Sequence, residues 1–246
     1  MASTIPSPIA PPLRGLVVMN QEWRDLTYLH WAVDPALVQP FMPEGCVPDT
    51  WEGRTYVGLI PFRMVDAGFG ARRRVPYFGD FLETNVRLYS RDRWGRAGVV
   101  FLSLDCNRLA VVLGARTLAA VPYRWARMDF EQDGPVVRYR SALRGRTPGT
   151  TDLEIEVGPE MAEPGDLDVF LSARFGLHTR IAGRTRFIPN EHPPWPLHHA
   201  RVLRLEESVT SSVGLPHLGD RAPDHVAFSP GVRTVFGLPA APERPA

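Results

Sequence analysis

The chain has 246 residues, 44% of them hydrophobic and 22% charged, with a net charge of +1. That balance excludes a collagenous or strongly charged disordered protein and leaves no electrostatic basis for binding nucleic acid or an anionic membrane surface. All 28 basic side chains of the Lys+Arg count are arginine; with no lysine there is no side-chain amine to capture a carbonyl as a Schiff base, and arginine stays charged and non-nucleophilic.

In chain order, Met1 to Leu13 (MASTIPSPIAPPL) has no basic n-region and four prolines, so it reads as a disordered leader rather than a signal peptide. Asp34 before Pro35-Ala36-Leu37-Val38 predicts a short capped helix stopped at Pro40. Arg54 to Met64 alternates as a strand. Phe81 to Tyr89 and Ala97 to Cys106 flank the polar turn Ser90 to Arg96, a hairpin signal. Asn107 to Ala119 is expected as a helix or turn behind a capping Asn. Arg124 to Phe130 and Val136 to Leu143 flank Gln132-Asp133-Gly134 as a second hairpin. Leu153 to Val157, Ala200 to Glu206 and His225 to Phe236 add strands, the last broken into one or two pieces around Ser229-Pro230-Gly231. Between them, Asp166 to Leu177 reads as a helix, with Asp166 as the cap and Leu167, Phe170, Leu171 and Arg174 at helical spacing. The expected fold class is mostly β with a few short helices, an antiparallel barrel or curved sheet. One domain over residues 14–238 with disordered tails at 1–13 and 239–246 follows, because no linker or repeat divides the chain. No apolar run approaches the roughly 18 residues of a membrane span. Cys46 and Cys106 are too few for a disulfide framework, which predicts a cytoplasmic protein with buried thiols.

Three segments could carry chemistry. Period 2 places Glu83, Asn85 and Arg87 on one face of their strand and Leu82, Val86 and Leu88 on the other. Ser103 and Asp105 share a parity in the partner strand and are expected on the polar face with Glu83. That face is either solvated or, in a closed barrel, the wall of a cavity. Next, a strand restarting at Pro122 brings the Tyr123 phenol close to Arg116, a pair able to donate a proton and clamp a carboxylate. Last, Glu191-His192-Pro193-Pro194-Trp195-Pro196-Leu197-His198-His199 reads as a turn or a loop offering His192 and Trp195 to a ligand. Its prolines keep the histidines from metal-ligand spacing, so no metal is expected. His30 and His178 read as satisfied core histidines. There is no P-loop, dinucleotide fingerprint, nucleophile elbow or paired CxxC.

The ordered set Trp23 to Trp31, Tyr56 to Phe62, Glu83 to Arg87, Phe101 to Asp105, Arg116 with Pro122-Tyr123, Phe170 to Phe175, His192 to Leu197 and Phe228 to Val232 resembles the YqjF-like family. That bacterial family is grouped with the acetoacetate decarboxylase-like superfamily. The resemblance implies a β-barrel around a central cavity, with Glu83 lining it. Decarboxylases of that superfamily carry an arginine and, six residues later, Pro-Lys-Lys, whose first lysine forms the Schiff base. Here Arg116 and Pro122 match, but Tyr123-Arg124 replaces both lysines, so imine chemistry is ruled out. What remains is an enzyme on a small organic acid or β-dicarbonyl compound, with Glu83 and Tyr123 catalytic and Arg116, Arg87, Asn85 and Asp105 holding substrate. Enolisation, dehydration, cyclisation and imine-free decarboxylation are open to such a set. A non-catalytic binding or sensing protein with the same cavity is the alternative. A small-molecule carboxylate or carbonyl ligand is the expected partner, no cofactor is expected, and a homo-oligomer is compatible with the sequence.

Overall fold

The structure, a computed structural model, describes residues 6–71, 73–75, 79–112 and 121–240. Its strands are β1 (Val17–Val33), β2 (Cys46–Pro48), β3 (Thr55–Phe69), β4 (Arg73–Arg74), β5 (Phe81–Asp92), β6 (Ala97–Cys106), β7 (Tyr123–Asp133), β8 (Val136–Leu143), β9 (Thr150–Glu160), β10 (Gly176–Ile181), β11 (Arg184–Glu191), β12 (His198–Glu207) and β13 (His225–Gly237). The helices α1 (Pro35–Val38), α2 (Asp166–Ser172) and α3 (Val209–Ser212) are short. None is long and apolar enough to cross a membrane among the described residues.

The strands form one sheet in the order β11-β10-β6-β7-β8-β9-β12-β13-β1-β3-β5-β2, which closes on itself twice. Pairing of β5 with β6 closes a ring through β7, β8, β9, β12, β13, β1 and β3. Pairing of β11 with β13 closes a second ring through β10, β6, β5, β3 and β1. Most pairings are antiparallel, but β6 runs parallel to both β7 and β10. The shared strands β1, β3 and β5 therefore bury both faces. One face packs Leu29, Leu59, Val86 and Leu88 against Val137 and Ile155. The other packs Tyr28, Ile60 and Phe62 against Leu104, Tyr123 and Trp195, and Tyr56 and Tyr89 against Phe170 and Leu171 of α2.

A strand buried on both sides loses the alternation that marks a half-buried one. That is why β1, VVMNQEWRDLTYLHWAV, carries so weak a strand signal. β13 is one strand rather than two, and Gly231 lets it pass β1. Its φ is +123°, and a Cβ there would lie 1.9 Å from the Trp23 carbonyl oxygen, so only glycine fits.

Two helix expectations need correction. α2 ends at Ser172, not Leu177, and its N-cap is Gly165, whose N–H donates to Asp168 Oδ2 at 2.8 Å. The chain leaves the helix because Arg174, counted as helical, turns inward to an ion pair with Asp49 at 2.5 Å. Asn107 does not cap a helix; its Oδ1 accepts from the Leu82 N–H at 3.0 Å and ties β6 to β5. Residues 109–112 are helical, and the rest of the expected 107–119 element lies outside the described residues.

Candidate active site

Glu83, Asn85, Arg87 and Tyr89 follow one another at period 2 on the face of β5 turned into the second ring. Glu83 is 2% exposed, and its Oε2 accepts a hydrogen bond of 2.7 Å from Tyr123 Oη at the start of β7. Burial pushes the Glu83 carboxyl up to about 7, although hydrogen bonds from Tyr123 and Asn85 favour its ionised form. Burial, with the adjacent Glu83 charge, raises the Tyr123 phenol well above the ordinary tyrosine range, so it stays a neutral donor.

On β1, separated from β5 by β3, Tyr28 is 1% exposed and burial keeps its phenol protonated. Tyr28 Oη and Asn85 Oδ1 are buried with no hydrogen-bond partner among the described residues. Buried polar atoms are normally satisfied, so these two have hydrogen-bonding capacity left for a further group. The guanidinium of Arg87 lies over the Tyr28 ring at 5.5 Å and the Tyr89 ring at 5.4 Å. Its Nε and Nη2 donate to Tyr89 Oη at 3.1 and 2.9 Å, and Nη2 also donates to the Leu171 carbonyl at 3.1 Å. No carboxylate among the described residues pairs with it. Gly58 makes this approach possible, since a Cβ there would stand 3.2 Å from both Arg87 Cγ and His30 Cδ2.

Trp195 closes the cluster, edge-on to Tyr28 at 5.6 Å and stacked on Trp23 at 5.8 Å. Its Nε1 donates to the Ser172 carbonyl at 3.1 Å, which fixes the proline-rich segment to the end of α2. His192 packs against Trp195 at 5.2 Å and Phe175 at 4.8 Å, and burial lowers its pKa. A cleft of about 220 Å³ lies at the start of β5, walled by Arg63, Met64, Val65, Asp80, Phe81, Leu82 and Asn107; Glu83, Arg87, Tyr28 and Tyr123 do not line it. Among the described residues, no three His, Cys, Asp or Glu side chains gather as a metal site.

Asp105 does not stand with Glu83. The pairing of β5 with β6 runs Arg87 to Phe101 but Val86 to Ser103, so Leu102 is an extra residue in β6. Beyond this bulge the parity flips: Glu83 pairs with Cys106, and Asp105 pairs with Thr84 on the opposite face. There, fully buried, Asp105 accepts from Arg124 Nε at 2.6 Å and Nη2 at 3.0 Å, a bidentate pair inside the first ring. Arg116 lies outside the described residues.

The sequence reading passed over several groups. Continuing the parity of Glu83, Asn85 and Arg87 by one step reaches Tyr89, and Tyr28 and His30 alternate in the same way along β1; that signal was present. Asp168 and His225 carry none, because they come from distant elements. A Ser90, His178 and Asp92 cluster looks like a nucleophile triad, with Ser90 Oγ 2.8 Å from His178 Nδ1. However, His178 Nε2 stands 3.6 Å from Asp92, burial lowers its pKa to about 4, and all three are sealed in the core.

A doubly closed β sheet with short helices is the fold that this chain shares with acetoacetate decarboxylases. The chain superposes on acetoacetate decarboxylase from Legionella pneumophila with a TM-score of 0.60, 15% identity and coverage of 94% of this chain and 92% of the other. It superposes on the enduracididine biosynthesis enzyme MppR complexed with pyruvate with a TM-score of 0.55, 13% identity and coverage of 92% and 88%. Within this fold, the chain belongs to the DUF2071 family, described as an uncharacterized conserved protein, which it matches over residues 20–233. It is 29% identical to the uncharacterized protein YqjF of Bacillus subtilis (strain 168) over 203 residues, covering 82% of this chain and 84% of that protein.

Proposed function

We propose that the chain is an acid–base enzyme acting, without a Schiff base, on a small carboxylic acid that also carries a carbonyl group. The observation that carries this reading is the buried Glu83–Tyr123 hydrogen bond, with two polar atoms unsatisfied and Arg87 without a carboxylate partner among the described residues. A carboxyl raised to about 7 is matched to proton transfer near neutral pH, where it can act as base and then as acid. Arg87 is suited to the ligand carboxylate, since guanidinium–carboxylate pairing is strong and directional. In an enolisation, Glu83 removes the proton next to the carbonyl: the C–H bond breaks, an O–H bond forms on the carboxyl, and charge moves to the carbonyl oxygen. Tyr28 Oη, a neutral donor with no hydrogen-bond partner among the described residues, can hydrogen-bond that developing oxyanion. Tyr123 keeps Glu83 oriented and supplies a second phenolic proton. The structural neighbour complexed with pyruvate supports a small oxo acid as the ligand class.

The test is exchange of the pyruvate methyl protons with deuterium in heavy water, followed by proton NMR. Wild-type protein is expected to catalyse exchange, Glu83→Gln to lose it, and Arg87→Ala to require more pyruvate for half-saturation. Saturable pyruvate binding without exchange would favour the binding-protein reading. Neither binding nor exchange with pyruvate, acetoacetate or another small oxo acid would overturn the proposal.

A further inference from the structure

A line of hydrogen bonds runs from the rim of α2 to Arg87. Asp168 Oδ1 is 2.8 Å from His225 Nε2, His225 Nδ1 is 3.0 Å from His30 Nδ1, and His30 Nε2 is 2.6 Å from Tyr89 Oη. Tyr89 Oη also lies 3.1 Å from the Leu171 carbonyl, as well as accepting from Arg87. Asp168 and His225 keep 18% and 11% of their side-chain surface in solvent, whereas His30 and Tyr89 have none. The outer end of the line thus meets water and the inner end holds the guanidinium.

Proton counting gives this line two polarities. Asp168 is held ionised, first by its hydrogen bond with His225, so it can only accept. Neutral His225 therefore spends its one N–H on Asp168, and its Nδ1 must accept from His30 Nδ1–H. Neutral His30 then has a bare Nε2, which takes the Tyr89 hydroxyl proton, and the Tyr89 oxygen is left to accept both Arg87 N–H groups. If the line takes up one proton, every donor reverses: the His30 Nδ1 proton passes to His225 Nδ1, the Tyr89 hydroxyl proton passes to His30 Nε2, and the added proton ends on Tyr89 Oη, directed at the Leu171 carbonyl. His225 then donates to His30, and His30 to Tyr89. The Tyr89 oxygen, with two lone pairs, must then share them between His30 and two N–H groups of Arg87.

We propose that Asp168, His225, His30 and Tyr89 form a reversible proton relay, whose direction sets how firmly Tyr89 holds Arg87 and hence how free Arg87 is to bind an anionic ligand. The anion-binding role of Arg87 rests on the function proposed above; the relay does not. These are positioning residues, since they act on the ligand through Arg87. Other groups facing the two imidazoles are Tyr28, Tyr56, Arg87 and Arg174 around His30, with His199 acting on Asp168. Burial first, then His225 and the two guanidiniums, keep His30 itself neutral, so uptake of a proton by the line shifts its tautomer rather than its charge.

Nitrogen-15 NMR of histidine- and arginine-labelled protein, titrated without ligand, tests this. His30 is expected to pass from the Nδ1–H to the Nε2–H tautomer in step with protonation of His225, and the Arg87 Nε–H resonance to shift with it. In His225→Gln, which cannot be protonated, His30 should hold one tautomer throughout, and in Tyr89→Phe the Arg87 resonance should no longer follow pH. A His30 that keeps one tautomer in the wild type, or becomes doubly protonated, overturns the relay, and an unmoved Arg87 resonance overturns its hold on Arg87. With pyruvate as the probe, linkage requires binding to favour the reversed state, raising the midpoint of the tautomer change by about 0.7 pH unit. That corresponds to about fivefold in affinity for one hydrogen bond released. A tautomer change with no pyruvate binding at any pH would leave the relay standing and sink the functional reading. Pyruvate binding with no shift of the midpoint would do the reverse.

Discussion

Replacing Glu83 with glutamine should make the protein more stable at neutral pH, and the size of the gain follows from the site. The carboxyl titrates at about 7 in the folded protein against an ordinary value of 4.5, chiefly because it is buried. Below pH 4.5 both folded and unfolded chains carry the proton, and Glu83 adds no pH dependence. Between 4.5 and 7 the unfolded chain has lost the proton and the folded chain keeps it, so unfolding free energy falls as pH rises. Above 7 the loss is complete, about 3 kcal/mol at 1.36 kcal/mol per unit of pKa difference. Glutamine keeps the shape and still accepts from Tyr123 Oη but cannot ionise. Urea unfolding of both proteins at pH 4, 5, 6, 7 and 8 should show the difference moving by about 3 kcal/mol in favour of the variant, most of it between pH 5 and 7. Other carboxyls titrate in both proteins and largely cancel. A difference constant to within about 0.5 kcal/mol across that range would refute the idea that Glu83 is a desolvated carboxyl.

Four further outcomes are expected. Tyr123→Phe removes a hydrogen bond that favours ionised Glu83, so the carboxyl midpoint, read by carbon-13 NMR, should rise further; a fall would mean Tyr123 does not stabilise the carboxylate. Borohydride reduction in the presence of acetoacetate or pyruvate should leave the intact mass unchanged, because the sequence holds no lysine; an adduct mapped to an internal residue would contradict this. Asp105→Asn should cost about 2–4 kcal/mol by leaving Arg124 without its counter-charge, at the lower end because Arg124 keeps 18% of its side-chain surface in water; a neutral result in thermal unfolding would show the pair is replaceable. Gly231→Ala should cost about 3 kcal/mol or more, from a positive φ and a Cβ driven into the Trp23 carbonyl; an unchanged melting temperature would disprove that clash.

Local pattern revealed half-buried strands well and doubly buried ones poorly. Hairpin strands β7 and β8 keep one face in water, and their alternation was readable. β1 packs apolar and polar residues on two buried faces, so its alternation cancels; the overlong helix ran into the start of β10, and β11 was not read as a strand. Arg174 sits at helical spacing from Phe170 but is bound to Asp49, 125 positions away, and such a partner is invisible to periodicity. The acetoacetate decarboxylase-like fold was legible from the ordered motifs, and the comparisons support it.

What the sequence alone determined is chemical: no side-chain amine, hence no imine at a side chain, and a strand whose one parity carries Glu83, Asn85, Arg87 and Tyr89. Composition and period 2 are properties of the chain and survive any folding. Which of those groups meet, and which are kept apart, belongs to tertiary structure. One extra residue at Leu102 carries Asp105 away from Glu83, and antiparallel pairing of β13 with β1 sets His225 opposite His30, 195 positions away. Register and closure are set by packing summed over the whole sheet, so no local pattern encodes them, and they decide where every buried charge finds its partner.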